Sequence, residues 1–267
     1  MQILIGSDPE AFVRNKQTGE IVSAIGLIPG DKDRPYAISE EGHAVQTDNV
    51  MVEFCVPAAK SAQQLNQDIK FCLDTLNKML PDELEVVILA SATLDKKYLR
   101  SKKARLFGCD PDFNVYTLQP NIAPNAKNNY LRSAGGHIHI GYEDVKFEMN
   151  LKIVQAMDLF LGLPSLILDK DTERRKMYGK AGCFREKNYG VEYRTLSNFW
   201  IASEESINWA FNQSHRAVNF ALTEDWLDDE LILQIQLAIN TFDLDLACKI
   251  AKKFDILFTY NQPELVY

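Results

Sequence analysis

Residues 135–142 read GGHIHIGY, and the alternation inside this stretch decides what kind of sheet the chain builds. Successive side chains of a strand point to opposite faces. Ile138 and Ile140 therefore belong to one face, and His137 and His139 to the other. A strand that is apolar on one side and carries two imidazoles on the other is half core and half site.

The same two-residue spacing recurs elsewhere. Asp8 and Glu10 follow the opening strand Gln2–Ile5 and share a face. Glu192 and Arg194 share one, with Val191 and Tyr193 opposite. Glu53 is a lone carboxylate between Val52 and Phe54 in MVEFCV. Each pattern alone is ordinary: Asp-x-Glu suits a solvated turn, and Glu-x-Arg suits a cross-strand ion pair. Together they indicate one polar sheet face, because a carboxylate in a half-buried strand is costly unless paired or bound to a cation. Carboxylates with one imidazole among them suit Mg2+ or Mn2+, which prefer oxygen ligands.

Outward from these strands the pattern is mixed. Val50–Val56 and Glu85–Leu89 read as further strands, and Val191–Leu196 as another. From Ser61 to about Leu80 the residues Leu65, Ile69, Cys72, Leu73 and Leu76 recur at helical spacing. Phe147–Leu168 reads as a buried helix, and three helical patterns (about 203–222, 226–240 and 243–258) end the chain. Residues 107–128, rich in Pro, Asn, Gly and Asp, read as a long loop of the kind that carries function. Several strands are joined by connections too short for a helical crossover. The expected class is therefore α+β with a largely antiparallel sheet. No linker divides residues 1–267, so one domain is expected.

The stretch from Lys170 to Arg194 carries Lys170, Arg174, Arg175, Lys176, Lys180, Arg185, Lys187 and Arg194, punctuated by Gly179, Gly182 and Gly190. In a chain of net charge -8 and pI near 5.1, this concentration of guanidiniums points to phosphate. It reads as a polar loop folding over a ligand, the plainer alternative being a solvated helix end. The overall acidity argues against stable nucleic-acid binding. The N-terminal MQILIGSDPE has no signal-peptide core, and the apolar run Leu159–Leu168 is too short to span a bilayer. A cytoplasmic protein with reduced thiols is expected, since the five cysteines are scattered without a CxxC pair.

GGHIHIG (135–141), TDNVMVEFCVP (47–57), VEYRTLSNFW (191–200) and GSDPEAF (6–12) resemble, in order, motif strands of glutamine synthetase and the glutamate–cysteine ligases. With RRKMYGKAGCFREKNYGVEYRTLSNFW included, the chain is similar to the phage-encoded type 2 amidoligases, or COOH–NH2 ligases. The resemblance implies a curved, largely antiparallel sheet of the glutamine synthetase and glutamate–cysteine ligase catalytic type, with helices on its outer face. It implies ATP and divalent ions, Mg2+ or Mn2+, on the concave face, and a host cytoplasm if the protein is phage-encoded. By matching position, Glu10, Glu53, His137 and Glu192 would be metal ligands with Asp8 a fifth, and His139 would face substrate or phosphate. Arg174, Arg175, Lys180, Arg185, Lys187 and Arg194 would bind ATP, with Arg185, Arg194 and His139 nearest the chemistry. Asp48 and Asn49 would line the substrate side. Apart from the resemblance, the loop from Phe107 to Tyr130, with Asp110, Asp112 and Asn114 and with Arg132 just beyond it, is the candidate substrate-selecting part. The chain departs from the pattern at Asp8-Pro9-Glu10, where relatives carry Glu-x-Glu, and it lacks the small N-terminal domain of glutamine synthetase.

The activity so implied is ATP-dependent joining of a small-molecule or peptide carboxylate to an amine through an acyl phosphate. A phosphotransferase acting on a guanidino or carboxylate group, and an inactive ligase-like binding protein, are the alternatives. A zinc hydrolase would need a third nitrogen or sulfur ligand near the HxH pair, which the sequence does not supply.

Overall fold

The computed structural model describes residues 2–105, 112–122, 130–223 and 227–256. Ile3–Ser7 (β1) and Glu10–Asn15 (β2) are separated by Asp8 and Pro9, and Ile21–Val22 (β3) and Tyr36–Ala37 (β4) are short. Ala44–Asp48 (β5) and Met51–Ala59 (β6) form a hairpin with Asp48 opposite Met51. Its turn holds Asn49 at φ 53°, a left-handed conformation in which Asn is enriched. Ala62–Met79 (α1) begins where the Ser61 side chain accepts a hydrogen bond from Gln64 N, a cap contributing about 1 kcal/mol. It buries Leu65, Ile69, Cys72 and Leu76, and Pro81 beyond it prevents continuation.

Leu84–Val87 (β7), Ser91–Thr93 (β8), the single turn Lys102–Arg105 (α2), Phe113–Asn114 (β9) and Leu131–Ser133 (β10) lead to Ile138–Tyr142 (β11). Phe147–Met157 (α3), a π turn at Asp158–Gly162 and Leu163–Leu168 (α4) follow without interruption. This 22-residue run is long and apolar enough to cross a membrane, but it is mostly buried within the protein. It is a core helix, as its sequence predicts. Cys183–Lys187 (β12) and Gly190–Tyr193 (β13) form a second hairpin, and Glu204–Ala221 (α5), Asp229–Thr241 (α6) and Leu244–Lys253 (α7) complete the described chain.

Among the described residues the main sheet runs β3-β2-β6-β1-β11-β13-β12-β9, with β4, β5 and β7 attached at its side. Its strand pairings are antiparallel, so the α+β reading holds. β1 and β2 lie in succession along β6: Ser7 faces Val56 and Glu10 faces Glu53. Asp8 therefore falls at the break between them.

One face of this sheet presents Ile5, Val13, Val52, Phe54, Ile138, Ile140, Val191 and Tyr193 to a continuous apolar core shared with α1, α3, α4 and α5. The helices thus cover that face, and each fully buried large side chain contributes about 1.5–3 kcal/mol. The alternate residues of the same strands face away from this core. There Phe12 and Met51 join Val50, Leu94, Leu99, Ala104 and Ala134 in a second, smaller cluster, which walls one end of the polar face.

The basic segment differs from the expected loop. Arg174–Lys176 is a short 3-10 turn, the chain reverses through Gly179 and Gly182, and the remainder is strand β12. The Cys-Phe-Arg-Glu-Lys alternation followed by a tight turn pairs with β13, and this hairpin outweighs the loop-like composition.

Candidate functional site

Two registered rows of side chains cross the polar face. In the first, Glu53 of β6 stands opposite Gln46 of β5 on one side and Glu10 of β2 on the other. In the second, His139 of β11 stands opposite Gly6 of β1 and Glu192 of β13, and Glu192 in turn stands opposite Arg185 of β12. Asp8, freed from strand geometry by Pro9, joins the second row.

The first row is a set of carboxylates. Glu10, Asp48 and Glu53 each bring an oxygen within 4.8 Å of the others. Burial, then the neighbouring Asp48, pushes Glu10 up to about 8. Burial, then Asp8, Glu10 and Asp48, holds Glu53 well above the ordinary range. Gln46 Nε2 donates to Glu53 Oε2 at 2.8 Å, and Gly135 N donates to Glu10 Oε2 at 2.6 Å. Three carboxylates held this close form an oxygen-rich set that fits a hard divalent cation.

The second row mixes signs. Asp8 Oδ1 is 3.1 Å from His137 Nδ1 and 3.2 Å from His139 Nε2. Burial alone would raise the Asp8 carboxyl, but the two imidazoles hold it well below the usual range. Lys187 Nζ is 2.8 Å from Glu192 Oε2, Arg185 Nη1 is 3.8 Å from Oε1, and Arg194 makes a close ion pair with Oε1. Burial and Asp8 push the Glu192 carboxyl up, but Arg194 foremost, with His137 and His139, brings it down to about 2. Arg194 is clamped from its other side by Asp112, with Nε to Oδ2 at 3.3 Å. Asp8, His139 and Glu192 again offer three ligand atoms within 4.8 Å of one another. The His139 Nε2 atom is buried without a hydrogen-bond partner, a nitrogen placed where a cation would use it.

Backbone contacts fix this arrangement. Ser7 Oγ donates to the His137 carbonyl at 2.6 Å, Asn198 Nδ2 to the Glu10 carbonyl at 2.8 Å, and Trp200 Nε1 to the Gly136 carbonyl at 3.0 Å. The paired glycines are a steric demand. A Cβ on Gly135 would lie 2.5 Å from His137 Nε2, and one on Gly136 would lie 2.4 Å from the Ser197 carbonyl.

The structure thus brings together Asp8, Glu10, Glu53, His137, His139, Glu192, Arg185, Lys187 and Arg194, and several other candidates stand elsewhere. Asp48, expected on the substrate side, joins Glu10 and Glu53. His139 joins Asp8 and Glu192 in a candidate cation cluster, and His137 Nδ1, expected as a ligand, lies 3.1 Å from Asp8 Oδ1, 3.6 Å from Glu192 Oε1 and 3.1 Å from Arg194 Nη1. Arg174 is buried and donates to the Thr195 carbonyl at 3.0 Å, although its charge still reaches Glu10. Arg175 donates to Ser165 O at 2.8 Å and pairs with Asp169 at 3.8 Å. Lys180 is exposed, 3.5 Å from the Asn240 carbonyl. Arg132 is buried and donates to the carbonyls of Leu131 and Ala104. Arg174, Arg175 and Lys180 precede β12 and so miss the face that its alternation gives to Arg185 and Lys187. Asn49 supplies a turn, and Asn114 donates to the Ala181 carbonyl. Asp110 lies outside the described residues. Gln46, Asn198 and Trp200 were not singled out in the sequence, the last two despite lying inside or beside its late motif.

Residues 126–223 match the family model described as phage phiEco32-like COOH.NH2 ligase-type 2. The match takes in Gly135, Gly136, both histidines, the basic segment, Glu192 and Arg194, and the resemblance read from the sequence names that same family. No curated protein matches the chain. Among solved structures, a bifunctional glutathione synthetase from Pasteurella multocida is similar at 11% identity and a TM-score of 0.49. The likeness covers 95% of this chain and 49% of that one, so the chain spans about half its length.

Proposed function

We propose that this chain is a carboxylate–amine ligase that spends ATP to activate the carboxylate, with residues 1–267 acting as one catalytic domain. The observation that carries the reading is the division of one sheet face into a row of three converging carboxylates and an adjoining row of three basic side chains around Glu192. The family match over residues 126–223 supports it.

The residues divide the work by charge. Glu10, Asp48 and Glu53 would hold one divalent cation, Mg2+ or Mn2+, and Asp8, His139 and Glu192 a second. Such ions neutralise phosphate oxygens and so favour phosphoryl transfer. Arg185 and Lys187 stand on the rim strand with their charges toward the same face and would orient the transferred phosphoryl group. Arg194 is fixed between Glu192 and Asp112 and so presents its charge without reorganisation. In the first step a carboxylate oxygen of the substrate attacks the γ-phosphorus, and the bond to the ADP oxygen breaks. In the second the neutral amine attacks the acyl carbon, the carbon–oxygen bond to phosphate breaks, and the nitrogen loses a proton to give the amide. Holding the two reactants in register supplies much of the rate.

The test is product analysis with pooled acids and amines: the full chain with Mg2+ and ATP should release ADP and phosphate together with an amide. A stable phosphorylated product without amide would instead establish the phosphotransferase alternative. Glu53→Gln and Glu192→Gln should each abolish turnover, and retention of Mg2+-dependent ADP release by either would defeat the assignment.

A further inference from the structure

The turn between β12 and β13 brings one aromatic residue back over the second row. Asn188 and Tyr189 make the turn, and Gly190 follows at φ 145° with its Cβ position 2.1 Å from the Ile140 carbonyl oxygen. Only glycine fits there, so the turn is pressed against β11, where Tyr142 N donates to the Tyr189 carbonyl at 3.1 Å. From this anchored backbone the Tyr189 ring lies nearly parallel to the His139 imidazole, with centroids 6.0 Å apart and an interplanar angle of 18°. Its hydroxyl is 2.7 Å from His139 Nδ1. The other nitrogen, Nε2, faces Asp8 Oδ1 at 3.2 Å and makes no hydrogen bond.

The two nitrogens are chemically linked. A neutral imidazole carries one N–H and one lone pair, and the partner of one nitrogen decides the state of the other. For Nε2 to act as a ligand beside Asp8 and Glu192, the proton must sit on Nδ1 and find an acceptor there. The Tyr189 oxygen is in place, and the side chain's exposure lets solvent accept the phenol proton. We propose that Tyr189 is a positioning residue of the cation site. Its hydroxyl oxygen accepts the Nδ1–H of His139 and so selects the tautomer whose Nε2 lone pair points into the Asp8–His139–Glu192 cluster. In the opposite tautomer Nε2–H would donate to Asp8, and the carboxylate would be satisfied without a cation. This proposal rests on assigning that cluster to a divalent ion in the ligase reading.

Tyr189→Phe tests it, because the variant keeps the ring against His139 and removes only the acceptor. Tyr189 lies at the surface, so the fold should survive the change. Mn2+ binding to the full chain, without nucleotide, is followed by electron paramagnetic resonance of the free ion. Loss of an outer partner of a metal-bound histidine typically weakens binding about 10- to 100-fold, and Tyr189→Phe should weaken one class of Mn2+ site by at least about tenfold. His139→Asn should remove that class and leave the other. Nitrogen-15 spectra of labelled imidazole at alkaline pH, where the ring is neutral, should show Nδ1–H in the wild type and a redistributed tautomer in Tyr189→Phe. Wild-type affinity in Tyr189→Phe, or an unchanged tautomer, would overturn the role of Tyr189 and leave the cation reading standing. Failure of the unmodified chain to bind Mn2+ would overturn both.

Discussion

Glu53 and Glu192 are the same residue type on the same sheet face, yet their surroundings drive them in opposite directions. Glu53 has Glu10, Asp48 and Asp8 for neighbours and is held well above the ordinary glutamate range, first by burial and then by those like charges. Glu192 is more completely buried, but Arg194 foremost, with His137 and His139, brings it down to about 2. Burial alone therefore does not set the state of a carboxylate here; the sign of its neighbours does. The carboxylate of Glu192 has basic counter-charges from the chain itself. The carboxylate of Glu53 is surrounded chiefly by like charges.

The sharpest way to break this contrast is to neutralise each glutamate in turn and measure unfolding without metal. Glu192→Gln leaves Arg194 buried and short of its main counter-charge, and losing one partner of a buried pair costs about 3–5 kcal/mol. Denaturant unfolding should show a loss of that order. Glu53→Gln removes a like charge from a crowded row, so the metal-free variant should be as stable as the parent or more so, by about 1 kcal/mol. Equal losses from both substitutions would mean that the two regions are electrostatically alike.

Divalent ions should reverse the comparison. With Mg2+ at about one hundred times its dissociation constant, the parent should gain about 2.7 kcal/mol, and Glu53→Gln should gain much less. Thermal unfolding with and without Mg2+ measures this directly, and identical gains would remove the first row from the cation site.

The same opposition predicts a pH profile for the metal-free chain. Glu10 rests at about 8 against an ordinary 4.5, so the folded state holds a proton that the unfolded chain releases. Its stabilisation is complete below about 4.5, declines as pH rises, and is lost through about 8. Glu192, at about 2 against 4.5, works the other way: its contribution is present above about 4.5 and is lost as pH falls through 2. Melting temperature against pH should therefore fall on both sides. Glu10→Gln should flatten the alkaline side and Glu192→Gln the acid side.

The legible part of this molecule was the part governed by short-range periodicity. The two-residue alternation of His137 and His139, and of Glu192 and Arg194, showed which side chains share a face, and the structure places both pairs on the polar one. The spacing of Leu65, Ile69, Cys72 and Leu76 likewise identified α1 and its buried side. The rest depended on register between distant strands. That Glu10 pairs with Glu53 and Arg185 with Glu192 is a tertiary fact, and so is the arrival of Asp48 beside Glu10. His137 and His139 are indistinguishable by spacing, and only the folded geometry shows that His139 joins Asp8 and Glu192. The basic segment misled because composition reports charge but not direction: β12 aims Arg185 and Lys187 at the site, while Arg175 and Lys180 precede it and turn elsewhere.

That last distinction supplies the smallest and most discriminating measurement. Arg185 and Lys180 are both basic residues of one Gly-punctuated stretch, five positions apart. Arg185 lies within 3.8 Å of Glu192, whereas Lys180 is exposed and its nearest described partner is the Asn240 carbonyl. If phosphate binding follows direction, Arg185→Ala should cost about tenfold in nucleotide affinity or turnover, about 1.4 kcal/mol, as expected for one charge-assisted contact. Lys180→Ala should change either by less than about twofold, in keeping with a surface substitution away from the site. The two variants have the same net charge, so a general change in the field would affect them equally and only strand geometry would separate them. Equal losses would return the segment to a diffuse basic loop and remove β12 from the wall of the site.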